Sequence, residues 1–419
     1  MSLYGEILTE PKLRFDYSST FAEGSPSKSK RCLLTFGPYD SNLFGKSKIN
    51  CVLIYPTGSE KYTQILIDGL IKGEGGFRGF QSFFKVPLNF LQETAVETDI
   101  KNFTRVLESV TSTNPDIVFV LLEKRKTNLY GQAKAILLAN GIPSQMVTIE
   151  QLSYTPSRRY VLENICLACY AKIGGVPWVI STSELNDSLV LGVSRAEDPN
   201  RGYLVGFVTL FTQDGDFLFM NSKAPVIKWE EYVKGLSKLI EDSISEFETL
   251  RGIPNSIIIH FHKRPGWKEI DAIEMALKNV ARNIPYAIIH LNEYSNFRLF
   301  DSSHISYIPP KGFKVNLSTH EALLLLDGRI GDRRHKIGIP RVLDVRMDKR
   351  STLDVALFPK LVEQIYNFSY INWRGFNAAA IPITLNYSKL IARMVIETGI
   401  EGWNQIIAGG KLRDKAWFL

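Results

Sequence analysis

The chain has 419 residues, 45% of them hydrophobic and 22% charged, a balance that excludes wholesale disorder, collagen-like repeats and a disulfide-stapled miniprotein. At about 150 residues per domain, the length leads us to expect two or three domains. Fifty Lys and Arg against 43 Asp and Glu leave a formal charge of +7, which permits a polyanionic partner without requiring one.

Residues 1–36 read as a polar, strand-poor N-terminal extension, linker-like at 23–30. They lack a basic stretch followed by an apolar core, so no secretory signal is expected. No apolar run anywhere approaches the ~20 residues of a membrane span. A cytoplasmic chain without direct membrane insertion is the expectation. From about Gly37 the pattern becomes regular. Residues 49–55 form a strand, 60–71 a helix, 99–112 an amphipathic helix and 116–122 a β-branched strand. Residues 129–138 follow as a helix ended by Asn140-Gly141, then a strand at 146–149 and a helix at 160–173. Short strands alternating with helices over 37–175 describe a doubly wound α/β unit.

Beyond residue 180 the order changes. A strand at 188–194 precedes a hairpin over 203–221, turning at Gln213-Asp214-Gly215-Asp216. A helix (229–250), a strand (256–262), a helix (269–281) and a strand (286–291) follow. The last third adds a strand at 341–347 and helices at 353–367 and 387–398. A hairpin followed by strand–helix alternation is the order of a ribonuclease-H-like mixed sheet. Cys166-Leu167-Ala168-Cys169 has redox or zinc spacing, but no partner pair exists elsewhere, so two buried thiols on one helix are expected.

In a doubly wound sheet ligands sit beyond the C-terminal strand ends, beside helix N-termini. Asn128 is the expected N-cap of the third helix. Tyr130 and Lys134 share one face of it. Gln145 opens the next strand and Lys172 closes the following helix. Together they offer a phenol, two ammoniums and an amide to one phosphate. The plainer reading is two solvated lysines and a packing tyrosine. The chain ends Ala416-Trp417-Phe418-Leu419 with no polar tail. If those side chains pack, the terminal carboxylate enters a low-dielectric place and needs a cation beside it. A tail docked for stability alone is the plainer alternative.

Tyr130-x3-Lys134, Ile142-Pro143-Ser144-Gln145 and Ala171-Lys172-Ile173-Gly174-Gly175-Val176-Pro177-Trp178 resemble the MID domain of a prokaryotic Argonaute. Asn372-Trp373-Arg374-Gly375-Phe376, residues 383–391 and the apolar C-terminus resemble its PIWI domain. The likeness covers about residues 37–419. It implies a Rossmann-like MID domain at 37–175 and a ribonuclease-H-like PIWI domain at 176–419, as in short or truncated family members. It implies that Tyr130, Lys134, Gln145 and Lys172 hold the 5′-phosphate of a guide strand, with Tyr130 also stacking on the first base. It further implies a magnesium ion held by Gln145 and the Leu419 carboxylate between guide phosphates, and Arg374 on the guide backbone. The implied partners are a 5′-phosphorylated RNA or DNA guide and a complementary target nucleic acid, with DNA expected. A separate protein would supply the missing N-terminal and PAZ-like lobe, and an effector would act in defence against plasmids or viruses. The aromatic stretch 77–90 offers an interface for such a partner, or a core strand and loop.

Two-metal phosphodiester hydrolysis needs several carboxylates around two cations about 4 Å apart. At the positions where slicing members carry metal ligands, this chain has Ser194, His262 and Lys389. An inactive PIWI domain is therefore expected. His260 and His262 share a strand face without a third ligand nearby, so core or surface histidines are the plainer reading. Glu197 and Asp198 are the nearest substitute carboxylates, otherwise solvated loop charges. Two alternatives stay open: an active nuclease with non-standard catalytic residues, and a nucleotide-binding enzyme. Neither GxGxxG nor GxxxxGK[ST] is present to support the latter.

Overall fold

The computed structural model describes residues 5–97, 99–124, 128–181, 185, 187–198, 202–262, 265–280, 283–330 and 338–419. The Asn128 side chain, expected as an N-cap, lies outside the described set. The chain divides into two compact units. One comprises Leu13–Val179, Trp373–Phe376 and Arg393–Leu419; the other comprises Met1–Lys12, Ile180–Asn372 and Asn377–Ala392.

The first unit is built on a parallel sheet of four strands, in the order Leu88–Val96, Ile49–Pro56, Ile117–Leu122, Ser144–Thr148. Every residue of Ile117–Leu122 is buried, as a strand covered on both faces requires. Helix Ile100–Thr111 starts at Asp99, whose carboxylate accepts the Lys101 and Asn102 amides at 3.1 and 3.0 Å. Helix Thr155–Lys172 is apolar around most of its second half and is correspondingly buried. The strand at 88–96 was not read from sequence: its exposed Leu91, Gln92 and Glu93 mark an edge strand without clean alternation.

One expectation is corrected here. The segment 23–30 is folded, with a short strand, a 3-10 turn begun by Pro26, and helix Ser29–Phe36, which buries Cys32 and Leu33. Of the two readings of 77–90, the core one holds for Phe77, Phe80, Phe83 and Phe84, which are buried: Phe80 and Phe84 pack on Tyr170, with Phe84 stacked on it at 4.3 Å, and Phe77 lies 5.2 Å from Phe83. All four cysteines are free and buried, and burial raises the Cys166 and Cys169 thiols, the latter to about 12. They are therefore inert hydrophobes.

The second unit carries a sheet of nine described strands. Its centre is three parallel neighbours, Ser188–Glu197, Ser256–His262 and Tyr286–Asn292. Leu204–Thr212 and Phe217–Ser222 extend it as an antiparallel hairpin, as expected. On the far side lie Leu343–Met347 and the hairpin Phe313–Ser318 with Glu321–Leu324, which was not read from sequence. Helices Trp229–Arg251 and Trp267–Val280 cover one face. On the other, a Cβ at Gly192 would lie 2.5 Å from Thr209 Oγ1 and 3.1 Å from the Thr384 carbonyl, so only glycine admits that approach. The observed sheet is the mixed α/β order expected of a ribonuclease-H-like domain.

His260 points into that second layer, with Nδ1 3.0 Å from Thr384 Oγ1. Burial lowers its imidazole to about 3. The unfolded chain therefore binds a proton that the native state refuses between about pH 6.5 and 3. Each pH unit in that window costs about 1.4 kcal/mol. We expect His260→Gln to flatten the acid limb of stability, checked by urea midpoints between pH 7 and 4.

Candidate functional site

Helix Asn128–Ala139 packs so closely on residue 397 that a Cβ at Gly131 would lie 2.2 Å from the Glu397 carbonyl. One turn later, Lys134 turns inward. Its Nζ donates to the Ser144 carbonyl at 2.8 Å and lies 5.9 Å from the centre of the Tyr130 ring. Lys172, last in its helix, donates to the same carbonyl at 3.0 Å and to Gln145 Oε1 at 2.7 Å. The four residues thus meet around one backbone oxygen. Both ammoniums are buried, each 2% exposed, and among the described residues neither forms an ion pair. The solvated-lysine reading is thereby excluded. The Ser144 hydroxyl is also buried, with no hydrogen-bond partner among the described residues.

This placement corrects one expectation. Ser144 stands opposite Val118 at the start of its strand, so the cluster lies at that strand's N-terminal end. The reason is reach: Lys134 sits mid-helix, and its stem spans back toward residue 144. Burial, then the charge of Lys172, pushes Lys134 well below its ordinary value. Burial likewise lowers Lys172 to about 8, with Cys169 opposing and Arg374 adding to the shift.

Arg374 therefore belongs to the same electrostatic neighbourhood. Its neighbours pin it: Trp373 Nε1 donates to the Trp178 carbonyl at 3.2 Å, and the Phe376 amide donates to Asn164 Oδ1 at 3.3 Å. The Phe376 ring packs 5.5 Å from Phe83 and 5.9 Å from Trp178. Sequence reading missed Asn164. Its position two turns before Lys172 on one helix was the available signal. At the tail, Trp417 and Phe418 are buried, and Trp417 lies 6.2 Å from Trp403. The contacts that tie the cluster together do not include the Leu419 carboxylate.

A magnesium ion must be tested against these donors. Among the described residues no three His, Cys, Asp or Glu converge to hold a metal. Gln145 Oε1 and a C-terminal carboxylate are both hard oxygen donors, the type such a cation takes. By donor type they suit an ion completed by oxygens of a bound anion, not one held by protein alone, and Gln145 Oε1 here accepts from Lys172 Nζ.

In the second unit, Ser194, His262 and Lys389 do converge. Val193 pairs with Phe261, and His262 pairs with Leu291, so Ser194, His262 and Glu293 come at one end of adjacent parallel strands. Glu293, absent from the sequence reading, takes both partners: His262 Nε2 at 3.0 Å and Lys389 Nζ at 2.5 Å. Burial alone would raise the Glu293 carboxyl. The hydrogen bonds and the ammonium outweigh it and hold it below its ordinary value. Ser194 is buried in the strand, which continues to Glu197. Glu197 is exposed, and the Asp198 amide donates to the Tyr203 carbonyl at 2.9 Å. No helix in the described residues is long and apolar enough to cross a membrane.

Residues 116–324 match the model of the Piwi domain. The chain is 25% identical over 463 residues to protein argonaute of Cereibacter sphaeroides, covering 98% of this chain and 58% of that protein. It is 28% identical over 334 residues to the Piwi protein of Archaeoglobus fulgidus, covering 75% and 77%. The fold matches Clostridium butyricum Argonaute, solved with a guide DNA and a 19-mer target DNA, at a TM-score of 0.76 and 20% identity. That match covers 95% of this chain and 54% of the other. Drosophila Piwi matches at 0.74 and 15% identity, covering 99% and 56%. The chain is thus similar to Argonaute and Piwi proteins over most of its length, and its residues 116–324 match the Piwi domain.

Proposed function

We propose that this chain acts as a catalytically inactive Argonaute that holds the 5′-phosphorylated end of a guide strand and recognises a complementary target by base pairing. The observation that carries this reading is the pair of buried ammoniums sharing the Ser144 carbonyl, with Tyr130 and Gln145 beside them. Buried cations without anionic partners are costly, and a terminal phosphate, with more charge than a mid-chain one, relieves that cost. Tyr130 offers a ring for the first base, and Arg374 a third cation for the adjoining backbone. A bound Mg²⁺, held by Gln145 and the Leu419 carboxylate, would screen the repulsion between that carboxylate and the phosphates.

The guide is RNA or DNA and the target a complementary strand, most simply DNA of a plasmid or virus. Holding the guide in helical order lowers the entropy lost when the target pairs. An associated effector would supply the defensive activity, in the cytoplasm. Lys134→Ala with Gln145→Ala should weaken a 5′-phosphorylated strand at least 100-fold while changing a 5′-hydroxyl strand little, measured by filter binding. Equal wild-type affinity for the two ends would overturn the reading.

A further inference from the structure

Helix Phe358–Phe368 and the helix that opens at Ile383 are joined by a stretch of chain that leaves the second unit and returns to it. The tip of this excursion, Trp373–Phe376, belongs to the first unit and carries Arg374. Its neck closes on itself. The Ala379 amide donates to the Ser369 carbonyl at 2.7 Å, and Asn372 Nδ2 donates to the Asn377 carbonyl at 2.7 Å. Compact loops with joined ends are common, and the tip of one is placed by whatever fixes the ends.

Lys311 spans this neck. Its Nζ donates to Ser369 Oγ at 2.9 Å and to the Ala379 carbonyl at 3.4 Å, one acceptor on each side, and to the Leu326 carbonyl at 2.6 Å. The Ser369 hydroxyl donates onward to the Tyr366 carbonyl at 2.7 Å, which leaves its oxygen to accept from the lysine. The lysine backbone is fixed as well. The Lys311 amide donates to the Arg329 carbonyl at 3.0 Å, and the Gly312 amide to the Leu325 carbonyl at 2.8 Å. The rings of Tyr366 and Tyr370 stand 5.7 and 4.9 Å from Nζ, with their hydroxyls bonded to each other at 2.9 Å.

A lysine is an unfavourable choice for this place. It is 8% exposed, and among the described residues it forms no ion pair. Burial pushes the ammonium down to about 7, with Asp327 and Glu10 opposing the shift. All three of these bonds end on backbone or hydroxyl oxygens, drawn from three separate segments. A buried polar group with its partners arranged in this way specifies one geometry at the expense of stability.

We propose that Lys311 is a positioning residue for Arg374: by fastening Ser369 and Ala379 together, it sets where the arginine-bearing tip stands. The proposal rests on the guide reading above, which gives Arg374 its task at the strand's backbone.

The test uses the full chain. Lys311→Met keeps most of the stem and removes the donors. In the ligand-free variant, hydrogen exchange should quicken about tenfold at the Ala379 amide and severalfold at the Phe376 amide, while strand Ser256–His262 exchanges as slowly as in wild type. A 5′-phosphorylated guide should bind about tenfold weaker. In an Arg374→Ala background the same substitution should change affinity by less than about twofold, because the group it positions is gone. Ser369→Ala removes one acceptor without touching the lysine, and should move both amides in the same direction by less. If Lys311→Met does not fold, Ser369→Ala decides alone. Unchanged exchange at Ala379 would overturn the proposal. So would quickening at Ala379 with Phe376 unmoved, or an equal loss of guide affinity with and without Arg374. Equal wild-type affinity for 5′-phosphate and 5′-hydroxyl strands would instead sink the earlier reading, and the two amides would still decide whether Lys311 places the tip.

Discussion

Lys134→Met should make the ligand-free protein more stable and a 5′-phosphorylated guide at least 30-fold weaker. The two effects have one origin. The Lys134 ammonium is buried beside a second ammonium and shares its carbonyl acceptor. A methionine of similar length removes the desolvation cost and the like-charge repulsion while filling the same space. Replacing a buried ion pair with well-packed apolar side chains is often neutral or stabilises by about 1–4 kcal/mol, and a like-charged pair loses no attraction in the exchange. The thermal midpoint should therefore rise by several degrees. Removing a buried charge from a bound anion costs about 2–5 kcal/mol, the basis of the affinity expectation. Calorimetry without ligand and filter binding with labelled guide check the two halves. A less stable variant that binds normally would show that Lys134 is a packing residue.

A labelled target, incubated with guide-loaded protein and Mg²⁺ or Mn²⁺, should remain intact. Two-metal hydrolysis requires a surplus of negative charge. Among the described residues the carboxylate that joins His262 and Lys389 is Glu293, and a lysine ammonium already neutralises it. Cleavage at a defined position opposite the guide would refute this. Lys389→Ala tests the charge balance directly. Glu293 has a native value below that of the unfolded chain, so its contribution is complete above the ordinary carboxylate range and is lost as pH falls through the native value. Without Lys389 that contribution shrinks. We expect about 1–2 kcal/mol lower stability at pH 7, discounted for the partial exposure of Lys389, and a flatter acid limb. Urea midpoints from pH 7 to 3 provide the check.

Strongly periodic elements were legible before any coordinates. The strand Ser256–His262 and helix Glu60–Ile71 lie where their patterns place them, because buried strands and amphipathic helices write their burial into residue order. The strands at 88–96, 313–318 and 321–324 were not legible: their mixed polarity reflects sheet-edge and hairpin positions that only tertiary neighbours define. Among site residues, Tyr130, Lys134, Gln145 and Lys172 could be nominated by type and spacing, but their meeting at the Ser144 carbonyl could not. Glu293 escaped notice because its role depends on Lys389, far away in the chain. Asn164 escaped because it acts on the Phe376 amide, which no sequence pattern announces.

The unit that houses the lysine pair is assembled from three separate stretches of polypeptide: Leu13–Val179, Trp373–Phe376 and Arg393–Leu419. Any attempt to dissect the molecule at a single scissile point near residue 175 would thus strand Arg374 and the buried tail on the wrong fragment. Evolution faces the same bookkeeping: this half cannot be shuffled into another gene as one contiguous cassette.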